Sequence, residues 1–176
     1  AGVQLVYSKG YHPMPKISFM TALPVGMESH VETMDIQTIN AVEPSRLVKD
    51  LNKQLPKGVS ITRAAVLEKN QKKSHQKQSQ YVITLPEKLL NESAVAQFLL
   101  ADTWQVTKRT SKGEREVNAR RLVESIEILS PNSLQMRIHH NSGPGLNTKE
   151  IVATIFSLNP SETAGLRILK TDQVLE

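Results

Sequence analysis

Glu28, His30 and Glu32 stand two residues apart. On an extended segment, alternate side chains project to the same side. A carboxylate–imidazole–carboxylate row of this kind can hold a divalent cation or pass protons. Glu32 also shares its face with Met34 and Ile36, which read as inward, so burial would perturb it. A strand entrance that stays in water is the plainer reading and the preferred one, and no metal is expected. Upstream, Tyr7-Ser8-Lys9-Gly10-Tyr11-His12-Pro13-Met14-Pro15-Lys16-Ile17-Ser18-Phe19 forms a loop that becomes a strand. Pro13 and Pro15 fix φ and withhold backbone donors. Gly10 permits a turn that a side chain would oppose. A stiff loop of this composition presents aromatic faces and cationic tips, and ordering it on contact costs little. Tyr7, Lys9, Tyr11, His12 and Lys16 are therefore candidate binding residues. The alternative is a rigid connection whose polar groups simply face water.

A second cationic segment holds Lys108, Arg109, Lys112, Arg115, Arg120 and Arg121, opposed by Glu114 and Glu116, with Trp104 just upstream. Cations beside an aromatic can hold single-stranded RNA by phosphate contact and stacking. A charged hairpin with Trp104 in the core is the favoured alternative. His139 and His140 end a strand, where neighbours face opposite sides, so a regular strand cannot aim both at one metal. The loop at 141–145 lacks the lysine and hydroxyl pair of a P-loop, and no GxGxxG or nucleophile-elbow motif occurs. There is no cysteine. That excludes disulfides, thiolate zinc sites and an iron–sulfur cluster ligated by this chain, and it fits a cytoplasmic location. No catalytic residue and no cofactor is assigned. The net charge of +5 favours an acidic partner such as nucleic acid. No apolar run approaches a membrane span.

The elements that must position these groups read as α+β. Strands are expected at 17–23 and 33–39. A helix opens at Glu43-Pro44-Ser45 and runs through Gln54, with Leu47, Val48, Leu51 and Leu55 at helical spacing. A strand is expected at 59–66. Residues 68–80 read as a basic linker or long loop, rich in lysine, glutamine and serine. Strands follow at 81–85, 103–110, 123–129, 133–139 and 166–170. Helices are expected at 93–100, 117–122 and 149–157, the last capped by Asn147 or Thr148. Two domains are therefore expected, at 1–67 and 81–176. The order in the first half matches the later part of a ferredoxin-like βαββαβ unit. That half should then show an exposed edge or groove where its opening strand and helix belong.

The stretch from Tyr7 to Phe19 resembles the YSxGFxPxPxISF signature of the radical-SAM-linked proteins, a bacterial family. Leu23-Pro24-Val25-Gly26-Met27-Glu28-Ser29, Glu32 and Asp35 continue the resemblance, with a weaker echo at Val117-Asn118-Ala119-Arg120-Arg121-Leu122-Val123. Lys9 stands where the family often has Gln, Met14 where His or Arg is common, and Asn118 where Asp is usual. Members begin with a strand and a helix that precede the point where this chain starts. The resemblance implies association with a cobalamin-binding radical SAM protein. It makes Glu28 and Glu32 candidate ligand-orienting groups beside the loop. The expectation is an accessory module that presents substrate, with RNA favoured by the basic balance. The alternatives are an enzyme using Glu28, Glu32 and Asp35 around the loop, and a protein-interaction module.

Overall fold

The computed structural model describes residues 2–67, 75–86, 88–110, 113–140 and 145–175. Residues 68–74 of the expected linker, Lys112 of the second basic segment and residues 141–144 of the loop after His140 lie outside the described residues, as does the Arg109 side chain. In chain order the elements begin with β1 (Ile17–Phe19), β2 (Glu28–Ser29), β3 (Met34–Ile36), α1 (Pro44–Asn52) and β4 (Gln76–Thr84). They continue with α2 (Glu92–Leu100), β5 (Gln105–Thr110), β6 (Gly113–Asn118), a 3-10 turn at Ala119–Arg121, β7 (Val123–Ser130) and β8 (Ser133–His139). The last are α3 (Thr148–Phe156), α4 (Pro160–Gly165) and β9 (Arg167–Leu175). The α+β class is as expected.

The division of the chain differs from the expected one. One compact unit holds residues 1–20 and 33–73, and the other holds 21–32 and 74–176. Residues 21–32 leave the first unit because β2 pairs in parallel with β9, Glu28 opposite Leu169 and Ser29 opposite Lys170. Gln76–Gln80, assigned to the linker, is strand. Its glutamines and serine pair with β8 and β9 although they look solvated in sequence.

The second unit owes its core to alternation. On β4 the buried positions are Ser79, Tyr81 and Ile83; on β8 they are Leu134, Met136 and Ile138. Cross-strand register sets Ile83 beside Leu134 and Ile168, and Tyr81 beside Met136 and Lys170. This face forms one cluster with Val95 and Phe98 of α2 and Ile151, Val152, Ile155 and Phe156 of α3. Burying each large aliphatic or aromatic side chain there contributes roughly 1.5–3 kcal/mol. The opposite face carries half-buried polar groups, among them Gln78, Gln80, Gln135, Arg137 and His139. Strand order β2-β9-β4-β8-β7 embeds β4-α2-β7-β8-α3-β9 as an antiparallel βαββαβ sheet. That is the ferredoxin-like pattern, and it lies in the second unit, whereas the sequence reading placed it in the first. The hairpin β5–β6, inserted between α2 and β7, hides the pattern in sequence.

The first unit has a two-stranded antiparallel pair, β1 with β3, in the register Ile17–Ile36 and Phe19–Met34. Glu43 caps α1, accepting from the Ser45 and Arg46 amides at 3.0 and 2.7 Å. Val59–Val66, expected as a strand, is not one. Its pairing is made by a side chain: Asn52 Oδ1 accepts from the Ile61 amide at 2.7 Å, and its Nδ2 donates to the Ile61 carbonyl at 2.9 Å.

Candidate functional site

In the first unit the loop residues close a hairpin. Tyr7 and Pro15 form an antiparallel bridge. The Ser8 amide donates to the Met14 carbonyl at 2.8 Å, and the Met14 amide donates back to Ser8 Oγ at 3.0 Å. The Lys16 amide donates to the Val6 carbonyl at 2.8 Å. Gly10 turns the tip at φ +144°, with open space where a Cβ would stand, so its conformation and not crowding calls for glycine. Beyond this frame Tyr11 is 96% exposed, its ring edge-on to His12 at 5.3 Å. Tyr7, Lys9, His12 and Lys16 are exposed as well. The five loop candidates thus share one frame.

Glu28 and Glu32 belong to the second unit. There a turn at Pro24–Met27, closed by the Met27 amide on the Pro24 carbonyl and by Gly26 at φ +80°, leads into β2. An open cleft of about 260 Å³ follows, lined by Leu23, Met27, Glu32, Tyr81, Ile138, His140, Leu146, Thr148 and Lys170. At its floor the Lys170 ammonium lies 2.9 Å from Glu32 Oε1 and 2.9 Å from Gln173 Oε1, with the lysine side chain only 3% exposed. Ser29 Oγ donates to Glu32 Oε1 at 2.8 Å, the His30 amide donates to the Lys170 carbonyl, and Gln173 Nε2 donates to the Val31 carbonyl. Glu32 thus ends on a cation. Glu28 and His30 do not join it, and among the described residues no three metal-ligating side chains cluster.

Two titrations are perturbed in this cleft. Burial pushes the Tyr81 phenol up, against the lowering pull of hydrogen bonds from Ser79 and Thr148. Partial burial, then the Lys170 ammonium and then His139, hold the His140 imidazole below its ordinary range. His140 Nε2 lies 2.9 Å from Ser79 Oγ, while His139 Nδ1 lies 3.1 Å from Gln78 Nε2 on the other face. The adjacent histidines diverge as the strand rule requires. Sequence reasoning missed Lys170, Tyr81 and His140 as neighbours of Glu32. The one signal present was a lysine on the apolar period of Leu166 and Ile168.

Among the described residues of the second basic segment, Lys108 and Arg120 are engaged within the fold. Lys108 sits opposite Arg115 across the hairpin and donates to the Gly145 carbonyl at 2.6 Å. Arg120 turns inward: it donates to the Leu99 and Val123 carbonyls at 3.2 and 2.8 Å and lies over the Phe98 ring. Its donors are taken by carbonyls left over at the end of α2 and the start of β7. Trp104 packs against the core, edge-on to Phe98 at 5.3 Å, and donates to Thr154 Oγ1 at 3.1 Å. Arg115 and Arg121 are exposed.

A family model described as an uncharacterized protein conserved in bacteria (DUF2344) matches residues 1–148. The chain belongs to this bacterial family. The DUF2344 match takes in the hairpin loop, Glu32, Tyr81 and His140, whereas Lys170 and Gln173 lie beyond it. No curated protein and no solved structure matches the chain significantly. Among the described residues, no helix of this DUF2344 chain is long and apolar enough to cross a membrane.

Proposed function

We propose that the chain is a non-catalytic cytoplasmic module that binds RNA and presents it to a cobalamin-binding radical SAM partner. The observation that carries the RNA reading is the hairpin, with Tyr11 at its tip almost wholly in water and Lys9, His12 and Lys16 exposed along it. A bare aromatic face takes a base, and cations take phosphates. With Trp104 used in the core, stacking falls to Tyr11. The net charge of +5 supports the same partner, and the resemblance of the Tyr7–Phe19 stretch supports the radical SAM association. RNA retention measured against salt tests the reading. Removing Tyr11 should cost about 1–3 kcal/mol of binding. Removing Lys9 and Lys16 should lower the salt slope by about 0.7 for each phosphate no longer neutralised. Unchanged affinity in a folded Lys9→Ala, Tyr11→Ala, Lys16→Ala variant overturns it.

One observation favours a protein-interaction module as the second reading. Ile17, Phe19 and Met34, which share the apolar alternation of β1 and β3, are exposed, Phe19 by 66%. Salt-insensitive capture of a protein partner, with no RNA retained, would favour it. The enzyme reading has less support. Glu32 is held by Lys170, and Asp35 belongs to the other unit.

A further inference from the structure

Lysine is rarely buried without a partner for each part of its charge. An ammonium has three N–H donors, and Lys170 directs two of them to Glu32 and Gln173. The third has no partner among the described residues, at a side chain that lines the cleft and is 3% exposed. Tyr81, His140, Gln76, Asn147 and Thr148 line the same cleft, and Leu23, Met27 and Leu146 supply its aliphatic wall. An apolar wall with a few converging polar groups is the usual make-up of a small-molecule site. Glu32 offsets the lysine, so the cleft suits one further negative charge better than two.

We propose that this cleft binds a small organic carboxylate, one oxygen of which accepts the third Lys170 proton while its aliphatic body lies against Leu23, Met27 and Leu146. This site goes beyond the RNA reading and does not depend on it, since the hairpin tip belongs to the other unit. The carboxylate supplies an acceptor for the third proton of the buried ammonium, and its aliphatic body covers the apolar part of the wall. A phosphate, doubly charged and without an aliphatic body, fits less well beside Glu32.

Titration of the full chain with butyrate, phosphate and butyramide, followed by NMR of the cleft residues, tests this. Butyrate should produce saturable shifts at Tyr81 and His140. Butyramide and phosphate should each bind at least tenfold more weakly. Glu32→Gln keeps an oxygen that accepts from Lys170 but removes the competing charge, so butyrate should bind several-fold more tightly. A purely structural ion pair predicts no such gain. Lys170→Met should abolish saturation, and Leu23→Trp, which leaves the lysine in place, should block the cleft. Unsaturable shifts with butyrate, equal shifts with all three probes, or unchanged or weaker binding in Glu32→Gln overturn the proposal.

Discussion

Lys170 lies on β9 in the buried alternation that starts at Leu166 and continues through Ile168, and its consequences are asymmetric. Glu32 keeps 26% of its side chain in water, so without its lysine it can rehydrate. Lys170 cannot. Removing one member of a buried pair costs more when the survivor stays buried. Glu32→Ala should therefore destabilise the protein by about 2 kcal/mol, at the low side because the pair is partly screened. Lys170→Met, apolar and close in volume, should change stability by less than about 1 kcal/mol. Urea unfolding of the two variants checks the order. The lowered value of His140 sets the sign of a pH dependence. Its folded value lies below the ordinary one, so the unfolded chain binds the proton more readily. The associated stability is present in full above about pH 6.5 and is lost as pH falls through the folded value. Unfolding free energies between pH 7 and pH 5 should fall less steeply in His140→Gln than in the parent chain.

At the scale of elements, Asn118 explains the second, weaker motif. Its Oδ1 accepts from the Trp104 amide at 2.9 Å and from the Arg120 amide at 3.1 Å, and so ties the hairpin to the 3-10 turn. The role is acceptance, which a carboxylate performs equally. Asn118→Asp should stay within about 0.5 kcal/mol, whereas Asn118→Ala, leaving two amides unsatisfied, should cost roughly 1–3 kcal/mol by thermal or urea unfolding. Elements of this local kind were legible in sequence. Pro44 after Glu43, Asn147 three residues before Glu150, and the alternation of Leu134, Met136 and Ile138 each announce their structure through neighbours. Trp104 in the core was legible too. What could not be read was pairing between distant segments. Ser79 and Gln76 look solvated until β9 lies beside them, and Glu28 looks like a strand entrance left in water until it meets Leu169. Arg120 counted as surface charge because its carbonyl partners, on Leu99 and Val123, are left over by elements whose ends sequence does not fix.

Across the whole molecule, burial is uneven. Among the described residues every buried side chain, from Ser79 to Lys170, lies in the second unit, and none lies in the first. Local stability follows the density of buried packing. Native-state hydrogen exchange should therefore show the amides of β1, β3 and α1 exchanging well before those of β4, β8 and the paired part of β9. Equal protection in both units would contradict this. The chain also passes between the units three times, after residues 20, 32 and 73. Neither unit is one continuous stretch, and the Glu32–Lys170 pair spans 138 positions. In terms of heredity, a recombination joint near residue 73 would carry β2 and Glu32 away with the wrong partner and leave the Lys170 ammonium buried without its carboxylate. The two units are thus bound to be inherited as a pair, and shuffling one without the other would be selected against through stability before any function disappeared.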